Sequence, residues 1–172
     1  MDYLYYQKKI NDVIIKCPIE AGIEILVYNL LDESIDMNQY SLVDINRISQ
    51  NQDSRLSTVT GVSDIAILSP DFEFKKEDTG KVYGFVEVKA IGVSLRCTNQ
   101  ILGQMKKVTR FIYTNGIVWR YYFNQELKWE KNIGTEKLPY SIGKIMVDKN
   151  EFQELKQAIK KIEWKEPFDD SI

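Results

Sequence analysis

Apolar residues recur in this chain with two different periods, and the changes of period divide it into elements. After Pro18, which suits the first turn of a helix, Ile19, Ile23, Leu26 and Leu30 follow at helical spacing and predict a helix over 18–32. Tyr40 to Ile45 alternates loosely as a strand, and the polar stretch Ser49 to Ser57 predicts an exposed loop. Two apolar runs near 61–69 and 82–91 predict buried strands joined through the charged segment Pro70 to Lys81 as a hairpin. Leu95 to Thr109 carries Ile101, Met105 and Val108 at helical spacing among polar neighbours, which predicts a second helix. Arg110 to Thr114 and Ile117 to Phe123 flank Asn115-Gly116, a strong signal for a two-residue hairpin. Short strands follow at Leu127 to Glu130 and Lys144 to Val147. A closing helix over 149–163 opens on a capping pattern, Asp148 with Glu151. Asp2 to Lys16 mixes both periods and leaves helix and strand open. The expected fold is α/β, a single domain with a central mixed sheet of about five strands flanked by helices. Its core spans 18–123, and the C-terminal strands and helix form an extension over 124–172.

Three charges interrupt the two central apolar runs. Asp64 stands alone in Val62 to Leu68, and Glu87 and Lys89 lie in Gly84 to Ile91. Removing such a charge from water costs several kcal/mol unless it is paired or binds metal, so these positions point to chemistry. Glu-x-Lys alone says nothing, since it recurs at Glu73, Glu126, Glu154 and Glu163. Only the Glu87 copy lies in a run patterned for burial, where the two-residue period puts Glu87 and Lys89 on one face. The competing reading is a structural ion pair at a sheet edge.

Composition narrows the chemistry further. The 172 residues contain 0 His, which removes Ser-His-Asp and Cys-His catalysis and histidine-ligated zinc. Carboxylate oxygens remain, and these suit magnesium or manganese. The net charge of −2 creates no global field for a polyanion, so a nucleic-acid contact has to be local. Lys106, Lys107 and Arg110 form one such cluster, the alternative being a solvated helix end. Trp119, Tyr121 and Tyr122 are read as hairpin packing rather than base-stacking platforms. Cys17 and Cys97 lack metal-ligand spacing, no leader pattern is present and no apolar run is long enough to cross a bilayer, which together lead to the expectation of a cytoplasmic protein with no membrane partner.

The order of helix, strand, Ser-Asp strand, Glu-x-Lys strand, Gln-bearing helix and Thr-Asn-Gly hairpin resembles the PD-(D/E)XK nuclease superfamily. Ile112-Tyr113-Thr114-Asn115-Gly116 with Trp119 and Tyr122 is similar to the nuclease domains of type I restriction-enzyme motor subunits and their stand-alone relatives, over roughly residues 18–123. The resemblance implies a restriction-endonuclease-like fold, Mg2+ (or Mn2+) held by Asp64, Glu87 and the carbonyl of Val88, and Lys89 assisting the attacking water. It also implies a first-helix carboxylate at the metal, for which Glu20 and Glu24 compete, with Glu20 slightly preferred. Gln100 answers to the catalytic Gln of the following helix, with Gln104 where Tyr is usual; a register starting at Gln104 also lacks the Tyr. Ser63 replaces the usual Pro before Asp64. The implied activity is magnesium-dependent hydrolysis of phosphodiester bonds in DNA, with a homodimer or a separately encoded partner subunit as possible company. The alternative is an inactive nuclease-like fold serving as a protein-binding or inhibitor module, which the low net charge and the missing Tyr favour.

Overall fold

A computed structural model describes residues 1–135 and 144–165. Twelve elements follow in chain order: α1 (Tyr3–Lys16), α2 (Glu20–Asp32), β1 (Ser41–Asp44), β2 (Ser57–Thr58), β3 (Gly61–Val62), β4 (Ile65–Leu68), β5 (Val82–Val88), α3 (Asn99–Lys107), β6 (Arg110–Thr114), β7 (Val118–Phe123), β8 (Glu126–Asn132) and α4 (Lys149–Lys160). Six strands form one sheet in the order β1-β4-β5-β6-β7-β8, and β2 pairs only with β3. β5 and β6 run parallel while their neighbours pair antiparallel, so the sheet is mixed as the sequence pattern predicts, with one strand more than expected.

The parallel pair at the centre sets the layering, because parallel neighbours need a crossover and their strands are covered on both faces. Here the crossover is α3. Gly84 to Val88 and Arg110 to Thr114 are buried without a break. α2 packs on β5 and β1 through Ile23, Leu26, Val27, Leu30 and Leu31, while α3 packs on β2, β3 and β5 through Ile101, Gln104 and Met105.

Several elements depart from the sequence pattern. Tyr3–Lys16 is a helix, capped by Asp2, which accepts the Tyr5 N–H at 2.8 Å; burial of Tyr6 and Ile10 decides what its mixed periodicity leaves open. The run near 61–69 is not one strand: β3 belongs to the small separate ribbon, the chain breaks at Ser63-Asp64, and β4 starts at Ile65. The predicted exposed loop over 49–57 contains buried Asp53 and Leu56. The hairpin at Asn115-Gly116 exists, but β7 starts at Val118 and Thr114 pairs with Trp119, so the connection is longer than two residues. Gly116 has φ +84°, and a Cβ there would meet Ile23 at 2.9 Å, so both backbone shape and the approach of α2 require glycine. The Gly116 carbonyl accepts from the Tyr6 hydroxyl at 2.6 Å and the Trp119 indole at 3.2 Å, which fastens the hairpin to α1. Lys144 to Val147 contributes a single bridge, Gly134 to Val147, instead of a strand. α4 ends at Lys160, and Asp148 caps it by accepting the Asn150 and Glu151 N–H groups. No helix among the described residues is long and apolar enough to cross a membrane.

Candidate metal centre

The break before β4 delivers Asp64 to the middle of the molecule. Its carbonyl accepts the Ile45 N–H at 2.8 Å, and its carboxylate Oδ2 accepts the Val88 N–H at 2.6 Å, so backbone on both sides holds it. Val86 pairs with Ile65, which places Glu87 one residue beyond that pair, beside Asp64. The α2 carboxylates arrive from the other direction. Glu20 and Glu24, one turn apart, border the buried stripe of α2. Glu20 accepts the Ala90 N–H at 3.1 Å, and Glu24 accepts the Asn46 side-chain amide at 2.6 Å.

Glu20, Glu24 and Asp64 each offer an oxygen, and these oxygens all lie within 4.8 Å of one another. Sequence reasoning left Glu20 and Glu24 as competitors; the structure engages both. Glu87 stands beside this trio. Its Oε1 accepts the Lys89 ammonium at 2.6 Å and its Oε2 accepts the Gln104 amide at 2.9 Å. Both Glu87 oxygens therefore have partners already, and the three-carboxylate group forms without it. Val88 offers Asp64 its N–H.

Electrostatics bear the mark of this crowding. Burial, then the negative charge of Glu87, with a smaller push from Glu24, raises the Asp64 carboxyl to about 8, against the opposing Val88 N–H and Lys89 charge. Burial also raises Glu87, offset in part by Lys89 and Gln104. Glu24 is raised by burial and by Glu20, with the Asn46 amide opposing. Burial by itself would lower the Lys89 ammonium, but its hydrogen bond to Glu87 and the surrounding negative charges outweigh that and raise it. Lys89 keeps 24% of its side chain exposed, so its charge faces both Glu87 and the solvent side of the site. A cavity of roughly 420 Å³ adjoins the trio and is lined by Glu24, Asp64, Asp44, Asn46, Arg47 and Tyr28.

Two expected site residues lie elsewhere. Gln100 is exposed, near the β2–β3 ribbon; the Gln that reaches Glu87 is Gln104, fully buried one turn later and also donating to the Val62 carbonyl at 3.3 Å. Arg110 is not a surface cation. It is 3% exposed, lies over the Phe123 ring and donates to the backbone carbonyls of Glu163 and Lys165, so it ties the chain after α4 to the sheet. Lys106 and Lys107 are exposed in the last turn of α3. Asn46 is the group that sequence reasoning missed, since nothing in Asp44-Ile45-Asn46 marks a side chain that will bond a helix carboxylate 22 residues earlier.

No family model and no curated protein matches the chain. Among solved structures, the fold is similar to a chain of a cryo-EM structure of a DrdV–DNA complex, with a TM-score of 0.57 and 14% identity over 91% of this chain and 94% of that chain. At that identity the likeness concerns the fold. The six-stranded mixed sheet flanked by four helices is a restriction-endonuclease-like α/β fold, as the family resemblance of the sequence implies.

The donor set fits a hard divalent cation. Three carboxylates with mutually close oxygens, two of them oriented by backbone N–H groups and the third by a side-chain amide, make an oxygen-only site of the kind that suits magnesium or manganese.

Proposed function

We propose that this protein is a magnesium- or manganese-dependent nuclease that hydrolyses phosphodiester bonds in DNA, of the PD-(D/E)XK kind. The observation that carries the reading is the convergence of Glu20, Glu24 and Asp64 beside the Glu87–Lys89 pair. Likeness of fold to a chain from a DNA complex supports DNA as the substrate class.

Glu20, Glu24 and Asp64 would hold the ion, with Glu87 beside them as a further carboxylate. When bound, such a cation polarises a phosphoryl oxygen and lowers the pKa of water. The protein's own groups do the rest. The Val88 and Ala90 N–H groups fix Asp64 and Glu20, so their carboxylates need little reorganisation. Gln104 and Lys89 hold the two Glu87 oxygens, and Glu87 in turn fixes the ammonium of Lys89. From there the Lys89 charge stabilises negative charge that builds on the phosphate in the transition state. Burial, then the charge of Glu87, favours the protonated form of Asp64, so uptake of a cation there would release a proton.

The purified protein should cut linear or plasmid DNA when supplied with magnesium or manganese. Asp64→Ala and Lys89→Ala should each lower the rate on the order of a thousandfold while keeping the thermal transition. Calorimetric titration should show uptake of manganese that Asp64→Ala loses. A wild-type protein that takes up neither cation at millimolar concentration overturns the enzymatic reading in favour of a protein-binding module on the same fold.

A further inference from the structure

The β2–β3 ribbon is small, yet it is held firmly. Thr58 Oγ1 accepts the Thr60 N–H at 3.1 Å and donates to the Gly61 carbonyl at 2.8 Å, closing the turn. Thr60 donates to the Gln100 carbonyl at 3.2 Å and lies so close to Gly103 that a side chain there would collide with it. Gln104 donates to the Val62 carbonyl. The ribbon is thus fastened to α3 through its turn and its second strand, and its tip presents Val59, 98% exposed. A β-branched apolar residue held rigidly in water gains nothing for the fold.

The surroundings of Val59 suggest what it meets. It overhangs a groove of roughly 740 Å³ whose walls include Gln50, Asn51, Ser54, Thr58, Lys106 and Lys107. Neither lysine makes an ion pair among the described residues, and the other named walls are uncharged hydrogen-bonding groups. Such a lining repels an apolar helix and matches a polyanion backbone, for which Lys and backbone-reaching amides are the usual contacts. One turn before Lys107 on the same helix, Gln104 reaches Glu87, so α3 joins this groove to the carboxylates.

We infer that the groove between the β2–β3 ribbon and the end of α3 binds the phosphate backbone of duplex DNA, and that Val59 is the apolar tip that enters a groove of the duplex. Apolar wedges rimmed by basic residues serve this purpose in proteins that bind the minor groove. The inference rests on the nuclease reading and names where its substrate lies. Gln100 then has a part of its own: with its carbonyl on Thr60 and its side chain near Gly61, it supports the ribbon.

Fluorescence anisotropy with a labelled duplex, in chelator and at about 50 mM salt, tests the surface separately from catalysis. Val59→Asp and the double variant Lys106→Glu/Lys107→Glu should each weaken binding roughly tenfold or more, with melting curves unchanged. Neutralising the pair with glutamine should flatten the dependence of log K on log salt by about 0.9 per lost phosphate contact. The control pair Lys160→Glu/Lys161→Glu, at the end of α4, should stay within about twofold. Groove variants that bind and cut like wild type overturn the inference and leave the nuclease reading standing. A wild type that binds through the groove but never cuts does the reverse. A wild type with no affinity for duplex at that salt also overturns it and makes the ribbon a protein contact.

Discussion

Two aspartates in this molecule, Asp53 buried and Asp64 half-buried, have opposite surroundings. Asp53 accepts the Arg55 guanidinium through Nε at 3.0 Å and Nη2 at 2.8 Å, and also the backbone N–H groups of Arg55 and Lys75 at 3.1 and 2.9 Å. The Arg55 side-chain bonds come first among the causes that hold its carboxyl down at about 2. Arg55 completes the arrangement by stacking on Phe72 at 4.0 Å and donating to the Glu73 and Thr79 carbonyls, so this pair clasps the β4–β5 connection to the segment before β2. Asp64 receives one N–H, and burial first, then the charges of Glu87 and Glu24, raises its carboxyl to about 8. A carboxylate whose lone pairs are all answered is a structural part. One that is half-buried among like charges and short of donors is destabilised in its ionised form.

The largest test of that contrast is to remove each acid. Asp53→Ala leaves Arg55 and the Lys75 N–H without their acceptor, and should destabilise the protein by about 3 kcal/mol in a denaturant titration. Asp64→Asn in the absence of metal should instead raise the melting temperature while abolishing cleavage, because it removes a carboxyl whose ionisation burial and the neighbouring acids oppose, and it keeps an acceptor for Val88. If both variants lose stability alike, the distinction between the two sites is gone.

The pH dependence sharpens the contrast. Asp64 has a folded-state pKa above its unfolded value of about 3.9, so the folded protein holds a proton that the unfolded chain releases between there and about 8. The metal-free protein should therefore lose stability as pH climbs through that window, and Asp64→Asn should flatten the loss. Manganese affinity should rise over the same range and level off near its upper end. Asp53 works in the opposite sense: its contribution is present above about 3.9 and disappears as pH falls toward about 2. Thermal melts across pH, with and without manganese, measure both slopes, and a metal-free melt rising from neutral to alkaline pH would contradict the assignment of Asp64.

A smaller effect concerns the bridge to the ribbon. Gln104→Ala removes one donor from Glu87 and one from Val62, at about 1 to 2 kcal/mol, and should slow turnover roughly tenfold with little change in manganese uptake. Gln100→Ala should leave turnover per bound substrate unchanged. Equal losses in the two variants would mean that α3 acts only as a scaffold.

Local pattern determined a good deal of this protein. Period-two spacing placed Glu87 and Lys89 on one face, where they meet at 2.6 Å, and the isolated charge of Asp64 in an apolar run marked the second strand of the site. Helical spacing put Glu20 and Glu24 on one edge of α2, and the fold class followed from the order of elements. What only tertiary structure decided depends on contacts distant along the chain. Gln100 and Gln104 share a helix face, and it is the packing of α3 on β5 that buries one against Glu87 and leaves the other at the ribbon. Arg110 looks like a surface cation beside two lysines until the chain returns 53 and 55 residues later to fill its donors with carbonyls. Whether an acid is satisfied or frustrated was equally hidden, since Asp53 and Asp64 differ in the groups that the fold brings to them. Spacing fixes which way a side chain leaves its own element, whereas its partners, and so its charge state, are set by elements that arrive from elsewhere.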